Sequence, residues 1–163
     1  MNEQFTFFWR SKSPFSQWYK ASFELNGITF SSAEQAMVYG KALLFKDIEI
    51  AAQILSANEP REQKRLGRHV KNFDRSIWES HCKQIVYEAN KAKFSQNPEL
   101  LTALLHTGET TLVEASPDDA IWGIGLAEED PRAKHRSQWK GTNWLGEILT
   151  QLREELKRSA TSL

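Results

Sequence analysis

The sequence predicts a mainly α-helical single domain with a few short β-strands near the N-terminus and in the middle. Three observations lead there. After residue 31, apolar residues recur at helical spacing through most of the chain. The stretches that carry this spacing open on Ser, Asp, Asn or Pro, and two of them close on Gly. Before residue 31 the pattern differs, with short aromatic runs set around the hairpin signal Asn26-Gly27. A length of 163 residues fits one domain with one core, expected over 1–163 with the core at about 5–157.

Taken in order, Phe5–Trp9, Ser22–Leu25 and Ile28–Phe30 read as strands. Ser31 or Ser32 caps a helix over Ala33–Phe45, with Glu34 or Gln35 as its capping-box partner. Asp47 opens a second helix with Ile48, Ala51, Ala52 and Leu55 on one face. Pro60 starts a third, which ends near Gly67. From Asp74, the recurrence of Ile77, Trp78, His81, Ile85, Ala89 and Ala92 predicts a central buried helix. Asn97-Pro98-Glu99 begins a helix carrying Leu100, Leu101, Leu104 and Leu105, closed by Gly108. Thr110–Ala115 reads as a strand, and Leu145, Ile148, Leu149, Leu152 and Leu156 form a final amphipathic helix, with fraying expected past Lys157.

Twenty-one basic and 21 acidic side chains cancel, which argues against a partner held by bulk electrostatics. A local basic pocket for one phosphate group is still allowed. The single cysteine, Cys82, excludes an intramolecular disulfide and a Cys-rich zinc cluster. His69, His81, His106 and His135 have no metal-ligand spacing, and no dinucleotide or P-loop fingerprint occurs, so neither a metal nor a cofactor is expected. There is no apolar run of membrane-spanning length and no signal-peptide core in MNEQFTFFWRSK, so the expected location is the cytoplasm.

Three places hold residues that helix formation does not explain. Glu34 and Lys41 lie seven residues apart, close to two turns, so they share a face with Met37 and Val38 between them. They are a buried pair, a reactive pair over an apolar stripe, or a surface Glu and Lys flanking the core. The run from Leu112 to Gly123 holds Glu114, Asp118, Asp119 and Trp122 in an irregular segment. Carboxylates beside an aromatic ring suit a sugar with its base stacked on the ring, although Asp118 and Asp119 are also natural turn caps. The third place, Gly141-Thr142-Asn143 at the mouth of the last helix, offers backbone donors for a phosphate.

Together these motifs resemble the NADAR (YbiA-like) family. The resemblance runs from Phe7 to about Leu156 through Ser13–Trp18, Ser32-Ala33-Glu34-Gln35 with Lys41, Gly67-Arg68, Leu112-Val113-Glu114, Asp119–Gly125, Gly141-x-Asn143-x-Leu145-Gly146, and Arg153. It departs at Ser13-Pro14-Phe15, where many relatives carry Ser-Asn-Phe.

The resemblance implies a YbiA-like helical fold and an N-glycosidase that hydrolyses the bond between ribose and an exocyclic base nitrogen. The implied substrates are phosphorylated ribosylaminopyrimidine intermediates of riboflavin synthesis or ADP-ribosylated guanine, the latter with local contact to modified DNA. An amine-linked sugar can open to an imine, which Lys41 would attack while Glu34 moves protons. Direct hydrolysis aided by Glu114 or Asp119 is the other route. Trp122 and Gly123 would meet the base or sugar, with Phe15 and Trp18 in the substrate-binding loop. Arg10, Arg68, Gly141 and Asn143 would meet phosphate. The rival is a module that binds ADP-ribose or a related nucleotide without cleaving it, a task with little need for Glu34, Lys41 and Asp119.

Overall fold

The computed structural model describes residues 2–161. The fold is mainly α, as the sequence predicts, and its contacts gather into two compact units: Met1–Ser16 with Pro98–Leu163, and Gln17–Asn97. No helix among the described residues is long and apolar enough to cross a membrane.

The unit of residues 17–97 starts with a hairpin. Strand β2 (Lys20–Leu25) pairs antiparallel with β3 (Ile28–Ser32), and Phe23 stands opposite Phe30. Asn26 and Gly27 both take left-handed backbone angles (φ 54° and 82°), the turn whose twist matches paired strands. Phe23 and Phe30 pack with Ala36 and Ala89, covering the first helix, α1 (Ala33–Leu44), and the long helix α4 (Arg75–Gln96).

Ser32 caps α1, its hydroxyl accepting from the Gln35 amide at 3.0 Å. The Gln35 side chain reaches back to the Ser31 amide and forward to the Ile54 carbonyl, at the end of α2 (Ile48–Ser56). Helix α3 (Pro60–Gly67) crosses α1 so closely that a side chain at Gly67 would lie 2.5 Å from Val38. Only glycine permits that approach.

Two expected faces need correction. On α2 the buried residues are Ala51 and Ile54, while Ile48 is 66% exposed. Only one side of this short helix meets α1 and α3, so the wider apolar stripe is half in water. On α4 the buried stripe is Cys82, Val86, Ala89, Asn90, Lys93 and Phe94, and Ile77 and His81 are exposed. The first two turns run beyond the core, and the buried face admits polar residues whose heads are held. The Asn90 amide donates to Gln17 and to the Val86 carbonyl, and the Lys93 ammonium lies over the rings of Tyr19 and Phe94.

In the other unit, β1 (Phe5–Phe8) pairs parallel with β4 (Thr111–Glu114), with Phe5 opposite Thr111. Between them in sequence lie the whole of the first-described unit and α5 (Pro98–Leu105). Helix α6 (Trp144–Thr161) packs on β4 through buried Leu145, Leu149 and Leu152. The helix runs past Lys157, whose ammonium donates to the Gly108 carbonyl at 2.7 Å. Ser162 and Leu163 lie outside the described residues.

Candidate active site

Helix α1 carries Glu34 in its first turn and Lys41 in its last, positions that the helix dipole favours for an acid and a base. Glu34 is buried, 4% exposed, and Lys41 is half-buried. Between them Val38 is locked into the core against Ala42, Ile54 and Leu66, so the stripe joining the two is apolar as expected. Two turns separate the pair by about 10 Å along the axis. No ion pair joins them among the described residues. The Lys41 ammonium instead donates to the Gly67 carbonyl at 2.8 Å.

Two rings complete its surroundings, Phe73 with its centroid at 4.7 Å and Trp78 at 5.8 Å. Burial holds the Lys41 pKa below the ordinary lysine value, the charge of Glu34 works against that, and nearby Arg68 lowers it further. A poorly solvated amine that loses its proton more readily than most lysines is the form that attacks an imine. Arg68 follows α3, is exposed, and has no ion pair among the described residues. In the same unit Trp18 is half-buried, with the Lys64 ammonium 5.7 Å from its ring.

Phe73 and Trp78 were not singled out as site residues by sequence reasoning, which counted Trp78 as core. The signal was present. Asp74 caps α4 through its bond to the Ile77 amide, so Phe73 and Trp78 occupy the two positions of a hydrophobic staple.

The remaining candidates belong to the other unit, where the loop before α6 is tied to it by successive hydrogen bonds. Asp119 Oδ1 accepts from the amides of Ile121 and Trp122, both at 2.9 Å, so this carboxylate acts as a turn cap. The amides of Thr142, Asn143, Trp144 and Leu145 donate to the carbonyls of Ala120, Gly123, Ile121 and Trp122. Those four donors at the helix start, the Asn143 amide among them, are taken by loop carbonyls. Gly141 sits where a side chain would lie 2.3 Å from the Gly123 carbonyl, and one at Gly123 would lie 2.8 Å from the Glu114 carbonyl.

Asn143 is fully buried at φ 53°. Its side-chain oxygen accepts from the Glu114 amide and its nitrogen donates to the Leu112 carbonyl, both at 3.0 Å, so it bonds to β4 as a neighbouring strand would. Glu114 ends β4, half-buried. The half-buried Trp122 ring meets Trp144 edge-on at 5.6 Å. Phe15 is a core residue, 9% exposed and edge-on to Phe8. Arg10 is exposed, holds a left-handed φ of 73° and lies over the Trp9 ring at 4.5 Å.

Comparison with known proteins places this geometry in a family. The NADAR domain profile matches residues 7–157. Over 146 residues the chain is 47% identical to N-glycosidase R617 of Acanthamoeba polyphaga mimivirus, covering 86% of each protein. It is 33% identical to N-glycosidase YbiA of Escherichia coli (strain K12), over 88% of this chain and 79% of that one. The NMR structure of E. coli YbiA superposes with a TM-score of 0.81 at 28% identity, covering 100% of this chain and 90% of the other. A 112-residue match at 40% identity links 66% of the chain to 16% of the chloroplastic riboflavin biosynthesis protein PYRR of Zea mays. With the domain matched along nearly its whole length, the chain belongs to the NADAR family.

Proposed function

We propose that this NADAR protein, an N-glycosidase, releases a base from an amine-linked ribose by transimination at Lys41. The observation that supports this most is the half-buried Lys41 amine, its proton affinity lowered by burial, on the same helix face as the buried carboxyl of Glu34. Opening of the sugar ring leaves an imine between C1 and the base nitrogen. The neutral Lys41 amine adds to C1, and the proton that the amine loses is relayed through water, with Glu34 as the carboxyl that accepts it, to the departing base nitrogen. The C–N bond to the base breaks, Lys41 holds the sugar as an imine, and water adds to release the aldehyde sugar and restore the amine. No redox change occurs, and one water is consumed.

Arg68, exposed and without an ion pair among the described residues, is suited to a phosphate of the substrate. Within the other unit, taken by itself, Trp122 has a half-exposed ring of the kind that stacks on a base. Asp119 and Glu114 have a lesser part in this reading, since an Asp119 oxygen already caps its turn. We read the span as one working domain, because the family match runs through both compact units.

The substrate class is a phosphorylated N-riboside, and the test offers two: a ribosylaminopyrimidine phosphate and DNA bearing ADP-ribosylated guanine. Base release is followed by chromatography, with borohydride added during turnover. The expected result is release from at least one substrate and a sugar-mass adduct on the peptide holding Lys41. Release without an adduct replaces the imine route with direct hydrolysis. Binding of both without release makes the protein a recognition module.

A further inference from the structure

We propose that Phe73 is a positioning residue for Lys41, its ring face and the Gly67 carbonyl forming a charge-dependent seat that holds the ammonium at rest and frees the amine once it is neutral. The inference rests on Lys41 being the reacting amine. The seat has three sides, all within residues 17–97. Gly67 is the last residue of α3, so its carbonyl lies at the negative end of that helix. It accepts the Lys41 hydrogen bond at 2.8 Å. Trp78 on α4 supplies a second side, and Phe73, in the linker before α4, supplies the third.

Phe73 is 46% exposed. Its ring is braced edge-on by Phe45 at 5.5 Å, and Phe45 is the residue that ends α1, four beyond Lys41. The ring is thus fixed relative to the helix that carries the amine, while its exposed part is open to a ligand. A π face attracts an ammonium and has almost no hold on a neutral amine. Loss of one proton therefore weakens both rings' grip, leaving a single neutral hydrogen bond to Gly67. The charged groups that act on the amine are Glu34 on α1 and Arg68 just past α3. The linker and α4 present the two rings.

The test reads the amine without turnover. Wild-type protein, Phe73→Leu, Phe73→Met and Phe73→Tyr are labelled with trace acetic anhydride across pH 6–11, and modification of the Lys41 peptide is measured by mass spectrometry. The Leu and Met variants keep apolar bulk and lose the π face, so their labelling midpoint falls by about half a pH unit, a two- to fivefold change in proton affinity. The Tyr variant keeps the wild-type midpoint. With substrate, the acid limb of kcat/KM moves down by the same amount in the Leu variant and not in the Tyr variant. An unchanged midpoint in both π-less variants, or a Tyr variant that behaves like them, overturns the seat. Because labelling needs no catalysis, that outcome is distinct from an active Lys41→Ala enzyme, which would instead overturn the role of Lys41.

Discussion

The two units hold their candidate site residues in different ways. In residues 98–161 they hold backbone in place: Asp119 caps two amides, and Asn143 substitutes for a strand beside β4. In residues 17–97 the amine of Lys41 sits on one carbonyl and two ring faces, with no ion pair among the described residues. A group committed to backbone amides contributes to stability and is not free to react. A cation held only by weak, charge-dependent contacts can change state at small cost. On the proposed reading this difference assigns chemistry to α1 and architecture to the loop before α6, although both stretches carry the residue types of an active site.

Substitution at Lys41 tests that contrast with the largest effect. Lys41→Ala should lower turnover by several orders of magnitude, as removal of an activated nucleophile does, with the melting temperature nearly unchanged because the side chain is half in water. Steady-state kinetics beside a thermal melt decide it, and an active variant places the chemistry elsewhere.

Asn143→Ala should do the reverse. It strands the Leu112 carbonyl and the Glu114 amide in a buried setting, at about 1–3 kcal/mol each, so stability should fall by about 2–5 kcal/mol in urea titration. A loss below 1 kcal/mol would mean that Asn143 does not hold β4.

The smallest effect sharpens the comparison within residues 17–97, where Lys93 is a second buried lysine. Burial lowers its pKa from 10.5 to about 7. Between those values the folded chain binds fewer protons at this site than the unfolded chain, so stability should rise as pH climbs from about 7 to 10.5. Lys93→Met should remove that rise and be more stable than wild type at pH 7. Parallel melts across this range check both, and equal slopes in the two proteins would show that Lys93 does not titrate there.

Local signals were the legible part. Asn26-Gly27 specified its turn because few other pairs take two left-handed residues, and Ser32, Asp47 and Asp74 announced helix starts through amides that only their side chains satisfy. The Glu34–Lys41 face followed from helical periodicity alone. Phase within α4 did not, because Cys82, Val86 and Lys93 recur at the same spacing as Trp78, His81 and Ile85, and the core they meet is built by residues far away in sequence.

By itself the sequence determined the helical class, the helix and turn boundaries, the family, and the helix face that carries the acid and the amine, since each depends on residues within a few positions or on ordered motifs. The tertiary structure alone decided that β1 pairs with β4 across about a hundred residues, that Asn143 and the α6 amides are committed to backbone partners, and that Phe73, Trp78 and Gly67 surround Lys41. Those outcomes depend on which distant groups meet, and periodicity, capping and turn chemistry act over too few residues to say.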